Sequence, residues 1–258
     1  MAGALVTILD GSALRSGSLV TINSGEGPDT VLRGFTLTNG TVGTPFGGDN
    51  ALVGGALFSE NTSPTIEQCV FRDNAAAFGG AVFCRDGAPT FSECSFLDNQ
   101  ATVDGGAIRF SRTNALLEDS DCQRNQAGGN GGAIHATNSV LVVRQTLLSE
   151  NSSLTGNGGG MNYGSYGGSL LVSNSTFTAN TATEGIGGGL HLEDVTILPV
   201  LVGNTLCENA PDQLAGGEWT DGGGNTICEC PADLNGDGEV DGIDLGMVLG
   251  AWGLPCDG

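Results

Sequence analysis

One four-residue phrase recurs along this chain and leaves few folds open to it. Gly54-Gly55-Ala56-Leu57 returns as Gly79-Gly80-Ala81-Val82, Gly105-Gly106-Ala107-Ile108 and Gly131-Gly132-Ala133-Ile134, with looser copies at Gly159-Gly160-Met161 and Gly188-Gly189-Leu190. The first glycines stand 25, 26, 26, 28 and 29 residues apart. A second phrase keeps the same beat and ends in Asn74, Asn99, Asn125, Asn151, Asn180 and Asn209. Two phrases on one such period mark a stacked repeat, whose units bury their apolar faces against their neighbours.

Laid over one another, the repeats sort into columns. Three residues before each asparagine stand Phe71, Phe96, Cys122, Leu148, Phe177 and Leu206; eight before it stand Ile66, Phe91, Leu117, Val143, Val172 and Leu201. Between them runs a mostly small, polar column of Cys69, Cys94, Ser120, Thr146, Ser175 and Asn204. Uniform columns without a helical period predict short parallel strands, two or three to a coil, stacked about 4.8 Å apart. The Gly-Gly pairs then mark corners of positive φ or close approach. The asparagines mark another corner, where each amide can bond the copies above and below. Phe35-Thr36-Leu37-Thr38-Asn39 resembles the second phrase one residue out of register. Residues 1–53 are thus expected to be entry coils and a loop, 54–209 regular coils, 210–229 a linker or cap, and 230–258 a separate module.

Gly-Gly-Ala-Ile with Phe-x-x-Asn resembles the repeats of polymorphic outer-membrane proteins. The coil plan is similar to the right-handed parallel β-helix of the pectin-lyase-like superfamily, which implies an all-β solenoid over roughly residues 30 to 225. That superfamily holds lyases, hydrolases, adhesins and surface proteins, so the resemblance implies a fold and leaves the activity open.

The C-terminal run Asp233-Leu234-Asn235-Gly236-Asp237-Gly238-Glu239-Val240-Asp241-Gly242-Ile243-Asp244 carries the sharpest chemistry. Side-chain oxygens of Asp233, Asn235, Asp237, Asp241 and Asp244 fall where a calcium loop needs them, Glu239 supplies the carbonyl position, and Gly238 stands at the sharp turn. The last ligand is Asp instead of Glu, and no helix precedes the loop. Both features resemble a type I dockerin half-repeat, which implies a calcium-binding loop followed by one helix and, by extension, a cohesin-like or cell-envelope protein partner. A calcium-stapled cap is the alternative.

Eight cysteines argue for an oxidising compartment. Cys230 with Cys256 would bracket the calcium module, Cys207 with Cys228 would tie down the last coil, and Cys69 with Cys94 share one column as stacked thiols or a rung-to-rung bridge. The Cys228-Glu229-Cys230 spacing, with no histidine close, argues against zinc. No signal peptide precedes the first coil and no run reaches the roughly 20 apolar residues of a membrane span. An extracellular or cell-surface location is expected, with an export signal upstream of this chain.

The 29 acidic residues outnumber 8 basic ones, all arginine, for a net charge of −21. That balance excludes a nucleic-acid partner, which needs a basic footprint, and favours bound calcium. Within the Gly-Gly-Ala strand, alternation places Leu57, Val82, Ile108 and Ile134 on one side. Phe58, Phe83, Arg109, His135 and Tyr163 are assigned to the other, as an outward stripe flanked by Glu60 and Arg85. Such a stripe would stack on a polysaccharide, or serve only as a ladder that steadies the sheet. Arg109, His135 and Glu60 are the catalytic candidates. A lyase needs a base beside a carboxylate cluster and a hydrolase two carboxyls, and Asp104, Glu118 and Asp119 do not share a column. The expectation is a secreted, non-catalytic β-helix presenting an elongated face to a neutral glycan or protein, with a polysaccharide lyase or glycoside hydrolase as the alternative.

Overall fold

The structure is a computed structural model that describes residues 7–13, 17–41 and 53–228. The calcium-loop residues Asp233, Asn235, Asp237, Glu239, Asp241 and Asp244, and the Cys230–Cys256 pair, lie outside the described residues.

The chain winds as an all-β parallel solenoid of about eight turns. One coil gives the plan. Leu57–Glu60 belongs to the glycine sheet, Thr65–Glu67 to a middle sheet and Val70–Arg72 to the asparagine sheet, and Ala75–Phe78 opens a shorter fourth one. Each strand pairs in parallel with its equivalent one coil away, as in Leu57↔Val82, Ile66↔Phe91 and Phe71↔Phe96. In one coil the strand Ile108–Glu118 runs unbroken through the corner and joins the glycine and middle sheets.

The corners have a common cause. One residue with positive φ turns the chain, and a small polar residue follows it. Between the middle and asparagine sheets the turning residues include Gln68, Glu93, Asp119, Gln145 and Asn174. Before the ladder asparagines they are Asp73, Asp98, Arg124, Glu150, Ala179 and Glu208. Asn39 has φ 56° and the Gly40 N–H donates the ladder contact to Asn74 Oδ1, which accounts for the entry coil's one-residue offset.

The predicted apolar columns are the core: Phe71, Phe96, Cys122, Leu148, Phe177 and Leu206 are all fully buried, as are Ile66, Phe91, Leu117, Val143, Val172 and Leu201. Phe71 and Phe96 stack with ring centroids 4.9 Å apart. Beside them the six asparagines form an unbroken ladder. Each Nδ2 donates to Oδ1 of the next copy, from 3.0 Å at Asn74–Asn99 to 2.8 Å at Asn180–Asn209, and Gln213 Oε1 receives the last.

Leu214–Gly216, Thr220–Asp221 and Thr226–Ile227 pair in register with the coil before them, so the segment expected to be a linker or cap winds one further coil. A disulfide joins Cys207 to Cys228 across those two last rungs, as the spacing suggested, with Cα atoms 4.9 Å apart. Cys69, Cys84, Cys94 and Cys122 are free and buried. Cys69 and Cys94 are therefore stacked thiols, each donating to nearby carbonyls, including Glu67 O at 3.3 Å and Ser92 O at 3.3 Å.

Candidate functional site

The glycine that turns each coil into the glycine sheet has positive φ at Gly54, Gly79, Gly105, Gly131, Gly158 and Gly187. In the two looser copies the equivalent of Gly54 is thus Gly158 or Gly187, one residue earlier than the phrase Gly159-Gly160-Met161 suggests. Three glycines in a row hid the frame, because Gly160 and Gly189 replace the alanine. The correction moves Tyr163. It pairs with Ala136 in the inward column, is fully buried, and donates its hydroxyl to Ser139 O at 2.8 Å. It is not on the outward stripe; Asn162 takes its place, beside His135 and His191.

The true outward column is Phe58, Phe83, Arg109, His135, Asn162 and His191. It is covered, not open: Phe58 is 5% exposed, Phe83 7%, His135 4% and Asn162 0%. The cover comes from the residue that precedes each turning glycine, a column the sequence reading missed. Val53 and Phe78 pack on Phe58 and Phe83, whose ring centroids lie 6.1 Å apart. Where the column becomes polar its cover does too. Asp104, Asn130 and Asn157 follow, and the Asp104 and Asn130 side chains each accept the backbone N–H one coil on at 2.8 Å. Matching chemistry in two columns five residues apart within each coil, as at Val53 and Phe58 or Phe78 and Phe83, was the available signal.

Beneath this cover Asp104 Oδ2 lies 3.3 Å from His135 Nδ1 in poor hydrogen-bond alignment, and Nε2 of the same ring has no hydrogen-bond partner among the described residues. Burial pushes the His135 imidazole below its ordinary value, with Asp104 opposing, so the ring is neutral at pH 7. Burial works to raise the Asp104 carboxyl, but His135, the Asn130 N–H and Arg109 outweigh it and hold it below the usual range. Arg109 donates to Phe110 O at 3.1 Å, His135 O at 3.3 Å and Thr137 Oγ1 at 3.0 Å. Its pKa is lowered by burial, against the pull of Asp104 and Glu193. Asn162 Nδ2 lies 3.0 Å from His191 Nδ1. Glu60, the remaining catalytic candidate, is ion-paired with Arg85 at the other end of the sheet.

An open cleft of about 530 Å³ adjoins the polar end of this row. Asn138, Gly164, Tyr166, His191, Glu193 and Gly216 are among its lining residues. A Cβ on Gly164 would overlap Glu193 Oε2, so the missing side chain is what lets Glu193 lie back across the preceding rung. Tyr166 stands 77% exposed on the rim.

That rim is built from extra chain. From turning glycine to ladder asparagine is 20 residues in each coil from Gly54 to Asn151, and 22 from Gly158 to Asn180 and from Gly187 to Asn209. The surplus falls at the corner between the glycine and middle sheets, where Tyr166-Gly167 and Thr196-Ile197-Leu198 are exposed.

Among the described residues no group of three or more His, Cys, Asp or Glu side chains is placed to hold a metal ion. No described helix is long and apolar enough to cross a membrane.

No curated protein matches the chain. Residues 50–177 match the family model described as a right handed beta helix region. With the parallel coils, this similarity makes the fold a right-handed parallel β-helix.

Proposed function

We propose that this protein is a non-catalytic, extracellular or cell-surface β-helix that binds a saccharide in the cleft beside Tyr166 and Glu193. The observation that carries the reading is the cleft's make-up: one exposed aromatic on the rim, a carboxylate and amide inside, and glycines that let a ligand approach the backbone. Sugars are bound by an apolar ring against their C–H face and by hydrogen bonds to their hydroxyls, which this lining can supply. The stripe first assigned to that role is covered, so the contact surface moves to the open end of the same column. Glycan-array binding by the whole chain, repeated with Tyr166→Ala, tests the reading. Selective binding that falls at least tenfold in the variant supports it; an array blank for both proteins overturns it.

The calcium loop at Asp233, Asn235, Asp237, Glu239, Asp241 and Asp244 is proposed, on its spacing alone, to bind one calcium and tether the protein to a cohesin-like or cell-envelope partner. Titration calorimetry of the whole chain against calcium, before and after Asp237→Ala, tests it; absence of binding in the parent chain rules it out.

A catalytic reading, lyase or hydrolase, is favoured by one observation: Asp104 and Glu193 both act electrostatically on Arg109. Against it, the Arg109 guanidinium is held by three acceptors and His135 is buried. Product release from polysaccharides that Arg109→Ala abolishes would establish it.

A further inference from the structure

The cleft's electrostatics narrow the ligand class, given the saccharide reading on which this step rests. Seven arginines are described. Arg33, Arg72, Arg85, Arg112, Arg124 and Arg144 are each ion-paired with a carboxylate. Arg109, the seventh, gives its N–H groups to two carbonyls and to the hydroxyl of Thr137, which lines the cleft. An acidic sugar therefore finds no uncommitted guanidinium among the described residues.

The opposite charge is available. Glu193 lines the cleft, and no hydrogen bond or ion pair reaches its carboxylate from any described residue. Its charged neighbours do not cancel it. Asp104 and Arg109 offset one another, and burial keeps both His135 and His191 on the neutral side. One negative charge is left facing the cleft. Tyr166 lines the same cleft, and an aromatic face attracts a cation as well as a sugar ring. The chain's net charge of −21 draws cations toward every surface, this one included.

We infer that the cleft selects saccharides bearing a free ammonium, as in a de-N-acetylated amino sugar, with Glu193 taking the ammonium and Tyr166 the ring. Acetylation would remove the charge and leave the carboxylate facing a neutral amide.

The test is titration calorimetry of the whole chain with three hexasaccharides of one backbone linkage, built from glucosamine, N-acetylglucosamine and glucose. Hexalysine serves as a fourth probe. The glucosamine hexamer is expected to bind at least tenfold more tightly than the other two sugars and than hexalysine. Glu193→Gln, which keeps the side chain's shape over Gly164, is expected to erase that margin, while Glu150→Gln on a remote exposed corner leaves it intact. Equal affinity for the three sugars overturns the ammonium inference and leaves the saccharide cleft standing. Hexalysine binding as well as the glucosamine hexamer, or Glu150→Gln weakening binding as much as Glu193→Gln, overturns it in favour of a protein ligand or diffuse attraction. No binding of any sugar removes both readings.

Discussion

Asn99 meets Asn125 twice: the Asn99 backbone N–H donates to Asn125 Oδ1 at 3.0 Å and its Nδ2 donates to the same oxygen at 2.9 Å. The Asn125 amide in turn donates to Phe96 O and to Asn151 Oδ1, so no polar atom of that buried side chain is idle. Asn125→Ala leaves Phe96 O and both Asn99 donors without partners in the core. Each orphaned group costs about 1–3 kcal/mol, so a loss of roughly 3–5 kcal/mol is expected. Asp in its place fails too, since it accepts but does not donate. Chemical denaturation followed by circular dichroism measures both variants.

Gly132 sits where neighbouring coils touch. A Cβ there would overlap Gly159 O and come within 2.6 Å of Ser152 backbone atoms. Gly132→Ala is expected to destabilise the coil by at least about 2 kcal/mol, because backbone cannot move aside as a side chain can. Gly27→Ala, at a site with nothing within 4 Å and no positive φ, is the control and should be neutral or stabilising by a few tenths of a kcal/mol.

Acid should weaken the fold before its carboxylates titrate. His135 and His191 are both held below their ordinary value of 6.5 by burial, so the unfolded chain binds more protons than the folded one as pH falls through that value. Stability therefore rises with pH across this window and is fully present above about 6.5. Asp104, also held low, adds a second loss in the same direction below its ordinary 3.8. His135→Asn, which matches the Asn162 of the next rung, should shrink the upper step to the share carried by His191 and, because His135 helps hold Asp104 low, reduce the lower one as well. Urea midpoints taken between pH 8 and pH 3 would show both.

Reducing the Cys207–Cys228 bond opens a loop of 21 residues at the last rungs. Chain entropy assigns such a crosslink about 3 kcal/mol. The loss should be local, seen by hydrogen exchange at residues 205–227 and not in the coils around Asn99. The buried thiols should stay unmodified in the folded state. Burial pushes Cys94 up to about 12 and raises Cys69, Cys84 and Cys122 as well, so little thiolate is present.

The coils could be read from the residues because stacking imposes one chemistry on each column. Asn74 through Asn209 and Phe71 through Leu206 had to agree with one another for the ladder and core to close. The outward column carries no such demand, and there the reading slipped. Phe58 and Arg109 occupy the same place with unlike chemistry, and the triple glycines at 158–160 and 187–189 shifted the frame by one, enough to turn Tyr163 from core to surface. The burial of His135 was out of reach from its own strand, since its cover, Asp104, comes from the coil before. Nor could Glu193 be placed in a cleft without knowing that Gly164 lies beneath it.

The two surplus residues in each of the last coils separate what must be kept from what can vary. Everything between glycine and asparagine that repeats at the shorter length serves the winding; Tyr166 and its neighbours lie outside that requirement and bond to little of it. A corner of this kind tolerates rewriting, so lengthening the equivalent corner at Asn61 or Arg112 would raise a second recess without disturbing a single ladder contact. The fold thus offers several sockets, and this chain has furnished the ones nearest its C-terminal end.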